Sequence, residues 1–215
     1  MAEKDLNVSL LSKTRVEALT DGVYAIAMTL MVLNIEVPEH HVVESANDLL
    51  RSLRSIGPQL FNYVLSFAIL MMLWIRNNRE QHRLKNISKI YTHYTLVSLM
   101  FVCLLPFTTS LMGSYSGMVV AEVVFHLNLL ALGTLTWLRY CHLRKYTHLL
   151  HTGAETSINK ATSVRLVLSL LVVPLVGLAI TPFSPSFSSL CYLLIPLIAL
   201  SRKAHIASSG QEASG

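Results

Sequence analysis

Long apolar stretches alternate along this chain with short segments that gather most of its charge. A helix needs about 20 predominantly apolar residues to cross the hydrocarbon core of a bilayer, and six stretches are candidates. They are residues 16–37, ending at Pro38; 58–75, closed by Arg76; 91–112, interrupted by Pro106; 118–138; 164–180; and 185–200, stopped by Ser201, Arg202 and Lys203. The stretches are continuously apolar rather than alternating with period two, which argues against strands. In lipid, helices satisfy their own backbone hydrogen bonds over such lengths. The pattern predicts an all-α polytopic membrane protein with six transmembrane helices in one domain, residues 1–205. Residues 206–215, small and polar, are expected to form a disordered tail.

The basic residues orient these helices. Lys4, Lys13 and Arg15 precede the first; Arg76, Arg79, Arg83, Lys85 and Lys89 follow the second; Arg139, Arg144, Lys145, Lys160 and Arg165 follow the fourth; Arg202 and Lys203 follow the last. Only Arg51 and Arg54 fall on the other side. Each basic cluster is thus separated from the next by an even number of spans. The positive-inside rule places both termini in the cytoplasm of a multi-pass cell-membrane protein. Composition agrees: 53% of residues are hydrophobic and 13% charged, against roughly a quarter charged in soluble chains. The net charge of +5 is then a topology signal, and no nucleic-acid partner is needed to account for it.

Other features add less. The first stretch is too long, and lacks the small-residue site, for a cleaved signal peptide. Cys103, Cys141 and Cys191 form no CxxC pair and read as reduced and structural. Residues 114–117 and 181–184 read as tight outer turns. Between the first two spans, Val42, Val43, Leu49, Leu50, Leu53 and Ile56 recur at helical spacing against Glu44, Asp48, Arg51 and Arg54. That predicts a short amphipathic helix, either lying at the outer interface or capping the bundle.

The first span differs from the rest. Glu17 and Asp21 lie one helical turn apart beside Arg15, and Gly22 permits close backbone approach. The run Arg15-Val16-Glu17-Ala18-Leu19-Thr20-Asp21 resembles the Arg-x-x-x-Phe-Ser-Asp signature of the lysosomal potassium channel family, the transmembrane protein 175 family, and its prokaryotic members especially. Gly22 to Leu30 and the segment Val32-Leu33-x-Ile35-x-Val37-Pro38 continue the resemblance. Ser66-Phe67, Trp74 and Leu104-Leu105-Pro106-Phe107-Thr108-Thr109 form a second block. Leu19 stands in place of Phe and Thr20 in place of Ser. Asn77 and Asn78 occupy the place of a His pair in many bacterial relatives, and Asn does not titrate near neutral pH.

The resemblance implies a homotetramer whose first spans line a central pore for potassium and other monovalent cations, with no cofactor. Helical spacing picks out Ile26, Thr29, Leu30 and Leu33 as one stripe; on spacing alone, such a stripe suits packing on neighbouring helices better than a pore lining. By the resemblance, Ile26, Leu30 and Leu33 match the apolar constriction, and Thr29 matches a hydroxyl layer. Filtration would then rest on narrowness and dewetting, since no Thr-Val-Gly-Tyr-Gly filter is present. At roughly 100° per residue, Arg15, Thr20 and Asp21 are expected about 120° or more around the helix from Ile26. With Leu19 and Trp74, they would position helices or gate.

Rival classes make their own demands. An ion-coupled transporter or proton conductor needs polar groups at membrane depth, and His93, Glu122 and His126 are the candidates. The topology puts Glu122 near the outer end, in an interfacial role. An intramembrane enzyme needs a nucleophile–base pair or a motif such as HExxH, and the sequence has neither. Cys141, His142, His148 and His151 gather in the inner loop; scattered solvated side chains suit that pattern better than a metal site.

Overall fold

Apolar runs of this length become helices long enough to cross a bilayer. The structure, a computed structural model, describes residues 11–35, 45–115, 117–154 and 161–193. Helix α1 spans Lys13–Leu30 and tightens into a 3-10 turn at Met31–Asn34. Helix α2 spans Ala46–Ser55, α3 Gly57–His82, α4 Lys89–Ser114, α5 Val119–Lys145 and α6 Ala161–Ile180. A short α7, Pro185–Ser188, leads into a 3-10 turn at Ser189–Leu193. Among the described residues, four segments are long and apolar enough to span: α1 with its 3-10 turn, α3, α4 and α5. A 26-residue helix such as α3 is about 39 Å long, more than the roughly 30 Å hydrocarbon core. The fold is all-α; among the described residues the extended pairing is a single bridge between Leu84 and Leu150.

Local chemistry sets the boundaries. Ser12, Ser45 and Ser88 cap α1, α2 and α4 by accepting hydrogen bonds from Arg15, Asp48 and Tyr91 backbone N–H groups, satisfying donors that a helix start leaves open. Pro58 sits in the first turn of α3, where its missing N–H costs nothing. Gly117, at φ 85°, supplies the left-handed residue of the turn between α4 and α5.

Two boundaries differ from those the apolar pattern suggests. Helix α3 does not stop at Arg76 but runs to His82, and α5 continues past Leu138 to Lys145. The extensions carry polar side chains that find partners inside the bundle. The stretch expected to form a sixth span starts as α7 and a 3-10 turn rather than one continuous helix. Its remainder, like residues 36–44 and the tail, lies outside the described residues.

Helix α1 packs on α3 and α4, α4 on α5, and α5 on α6. The larger core joins Tyr24, Ala27 and Met31 to Ile69, Leu73, Val102, Leu105, Phe125 and Leu129. A second core gathers Val16, Leu84, Tyr91, Leu143, Leu150 and Val167. It brings together the starts of α1, α4 and α6 with the ends of α3 and α5, so these helices alternate in direction. The basic clusters around Lys13, Arg83 and Arg144 therefore converge at one end of the bundle. The α5–α6 contact is close enough that a Cβ on Gly133 would overlap the Leu170 carbonyl.

Candidate functional site

The sequence of α1 separates into two faces. Val16, Thr20, Tyr24, Ala27 and Met31 are buried. They recur at three- and four-residue steps, as one face of a helix must. The opposite face carries Leu19, Ile26, Leu30 and Leu33, which are 47%, 60%, 46% and 76% exposed. Thr29 lies on it too, and its hydroxyl donates to the Ile26 carbonyl at 2.9 Å. That bond occupies the hydroxyl hydrogen and leaves oxygen lone pairs directed outward, which suits a cation rather than an anion. Among the described residues, the stripe expected from spacing thus lies on a largely exposed face of α1. Since the helix tightens after Leu30, and a 3-10 turn holds three residues, Leu33 stacks over Leu30. An α-helix would have offset the two. Ile26, Leu30 and Leu33 then form layers about 6 Å apart.

Polar contacts beside the buried face anchor the helix. Trp74 Nε1 of α3 donates to Asp21 Oδ1 at 2.9 Å. Lys13 Nζ donates to the Leu84 carbonyl at 2.7 Å and pairs with Glu17 at 3.5 Å. At the other end, Asn34 Nδ2 donates to the Pro106 carbonyl at 2.8 Å. Thr20 is fully buried, and its hydroxyl donates to the Val16 carbonyl at 2.7 Å, so it packs without bridging to another helix. Arg15 departs from expectation. Eleven residues from Ile26, it returns to within about 20° of it on the helical wheel, and it is exposed. It shares the stripe's face, as does Leu19, whereas Thr20 and Asp21 do lie well around from it.

Behind the anchor sits a buried ionic cluster that sequence reading treated as loop charge. Arg139 Nη1 donates to Asn77 Oδ1 at 2.9 Å, and Arg139 Nε lies 3.4 Å from Glu80 Oε1. Arg76 Nη2 reaches Glu80 Oε2 at 3.8 Å, and the Tyr91 hydroxyl donates to Glu80 Oε1 at 3.1 Å. Asn77 is therefore tied to α5 and not to the α1 motif. A signal was available: Leu70, Leu73, Asn77, Glu80 and Leu84 continue one helical face through the polar residues.

The family model of the endosomal/lysosomal potassium channel TMEM175 matches residues 15–106, from the exposed Arg15 to the Pro106 carbonyl that holds Asn34. A potassium channel of Streptomyces collinus is 30% identical over 170 residues, 77% of this chain and 81% of that one. The chain belongs to the TMEM175 family. A potassium channel of Chamaesiphon minutus is 37% identical over 101 residues, 47% of this chain and about half (49%) of that one. The crystal structure of a lysosomal potassium-selective channel TMEM175 homolog from the same organism superposes with a TM-score of 0.76 at 27% identity, covering 88% of this chain and 97% of that one. Animal relatives named as endosomal/lysosomal proton channels match over about a fifth of their length. The TMEM175 family is one of ion channels, not of enzymes.

Other candidates resolve differently. Glu122, in the first turn of α5, and His126 one turn on are both buried against the segment after α6. His126 Nδ1 lies 2.7 Å from the Tyr192 hydroxyl and Nε2 lies 3.1 Å from Ser188 Oγ, while Ser188 Oγ donates to Glu122 Oε2 at 3.2 Å. Sequence spacing could not reveal this, because two of the partners arrive from sixty residues away. Near the end of α5, and not in a loop as expected, His142 Nε2 lies 2.8 Å from Ser88 Oγ, and among the described residues no three metal-ligating side chains gather. His93 is exposed on α4.

Proposed function

We propose that four copies of this chain form a potassium-preferring cation channel in the cell membrane, with their α1 helices around a central pathway. Both termini lie on the cytoplasmic side, where the basic clusters converge. The observation that carries this reading is the apolar face of α1, about half or more exposed on the helix where the family match opens. In fourfold symmetry, Ile26, Leu30 and Leu33 become three stacked apolar rings, with Thr29 oxygens between the first two. An ion passing such rings sheds part of its hydration, which costs less for potassium than for the more tightly hydrated sodium. Selection is accordingly moderate, because no fixed carbonyl cage replaces the lost water. Trp74 and Asp21 hold the lining helix in place without touching the ion.

Exposed apolar stripes also mark α3, α4 and α5, through Val64 and Met71, Met100 and Phe107, and Leu127 and Leu138. Those are large apolar side chains suited to lipid. The α1 face intersperses Gly22, Ala25 and Thr29 among its leucines, and such small residues let helices converge on an axis.

The test is the reversal potential of the purified protein in planar bilayers under potassium against sodium. A tenfold permeability ratio displaces it by about 60 mV. Ile26→Asn should raise conductance and move that potential toward zero; unchanged conductance and selectivity would place the lining elsewhere. The second reading, proton conduction, draws on the names of the animal relatives. It predicts instead a reversal potential that follows the pH gradient when potassium is symmetric.

A further inference from the structure

We propose that α2 is a binding site for anionic phospholipid, its leucines set among acyl chains and Arg51 and Arg54 on the headgroup phosphodiester. Among the described residues α2 has no buried position; Leu49, Leu50 and Leu53 are each about half exposed. The helix therefore does not cap the bundle. A single residue, Ile56, separates it from the first residue of α3, a membrane-spanning helix. That short tether holds α2 at the membrane boundary, at the end of the bundle away from the basic clusters. Its apolar face continues into the exposed Leu60, Phe61 and Val64 of α3, so α2 and α3 present one apolar surface to the bilayer.

The charges select the headgroup. At about 100° per residue, Leu49, Leu53 and Ile56 fall within one narrow arc, Leu50 flanks it, and Arg54 and Arg51 follow in turn. Arginines so placed extend to phosphate depth while their stems cover apolar surface. Asp48, the counter-charge on this helix, is committed to the cap: its Oδ2 accepts from the Ser45 backbone N–H at 3.2 Å and from the Ser45 hydroxyl at 2.6 Å. Its other oxygen lies 3.9 Å from Arg51 Nη1, and that arginine side chain is 83% exposed. The helix thus keeps a net positive charge facing the headgroups. This inference depends on the chain spanning the membrane and is independent of where the pore runs.

The experiment uses the full chain in vesicles of phosphatidylcholine alone or mixed with phosphatidylglycerol. Leu53→Trp should be quenched by lipids brominated high on the acyl chain, and Ser55→Trp, about 200° from Leu53 on the helix, should not; wild-type protein supplies the background of Trp74 and Trp137. Phosphatidylglycerol retained through purification, counted by mass spectrometry, should fall roughly twenty-five-fold in the Arg51→Gln/Arg54→Gln variant, at about fivefold per arginine. Equal quenching at both positions, or unchanged retention, overturns the proposal. So does disulfide cross-linking of Leu53→Cys between subunits, which would make this face a contact between copies.

Discussion

Glu80→Gln tests whether the ionic cluster holds the lining helix's scaffold together. Glu80 is the one carboxylate between two guanidiniums, at 3.4 Å from Arg139 and 3.8 Å from Arg76. Glutamine keeps an oxygen for the Tyr91 hydroxyl but removes the charge. Leaving a buried charge uncompensated costs about 3–5 kcal/mol. Arg139, with a side chain only 5% exposed, bears that cost; Arg76, at 20%, turns partly toward water. Arg139 also keeps its bond to Asn77 at 2.9 Å and its place over the Tyr91 ring at 5.9 Å. The lower end applies, about 3 kcal/mol, which for a chain of this size lowers the melting temperature by roughly 6–12 °C. The assay is thermal melting of purified protein followed by size-exclusion fluorescence. Glu80→Gln/Arg139→Gln should recover part of the loss, because the uncompensated charge leaves with its partner. Melting of Glu80→Gln within about a degree of wild type would refute the reasoning, since it means Arg139 finds water or another anion. Reversal potential should not move, because the cluster lies behind α1.

Further outcomes follow from single contacts. Trp74→Phe removes the donor to Asp21 at 2.9 Å; since Asp21 is exposed, the loss is about 1 kcal/mol, read as a several-fold change in open probability at constant selectivity. Gly177→Ala puts a Cβ 2.5 Å from His126 Cε1, and both ring nitrogens are held, so about 1–3 kcal/mol of stability is lost; Gly177→Ala/His126→Ala should regain part of it in the same melting assay. In the proposed tetramer Arg15→Gln removes a positive ring from the cytoplasmic mouth, so single-channel cation conductance should rise at low salt, with the difference fading near roughly 1 M, where the screening length is about 3 Å.

Periodicity makes the helices legible because burial in lipid or protein demands long apolar runs whatever their neighbours. It does not fix their ends. Helix α3 continues past Arg76 because Asn77 and Glu80 meet Arg139, and that arginine comes from a helix some sixty residues later. A charge pays little at an interface and much inside, so the same Arg139 reads as a loop residue in sequence and as a clamp in the fold. Glu122 and His126 show the converse. Their one-turn spacing is visible, but burial comes from Ser188 and Tyr192 folding back over them.

The stripe on α1 was legible for a different reason. Its members owe their grouping to their own helix rather than to distant partners, so the helical wheel places them on one face, while a pore role for that face comes from the family resemblance. Arg15 follows the same rule: eleven residues make three turns, and the wheel puts it beside Ile26 rather than with Asp21. The signature therefore divides along the helix surface. Thr20 and Asp21 face the scaffold, one filling the packed face and the other receiving Trp74. Arg15 and Leu19 face the same side as Ile26, Leu30 and Leu33. Substitutions at Asp21 should then alter how firmly the helix is held, and substitutions at Arg15 what an ion meets on entering. In the proposed channel one motif serves both purposes because a helix presents them on different sides.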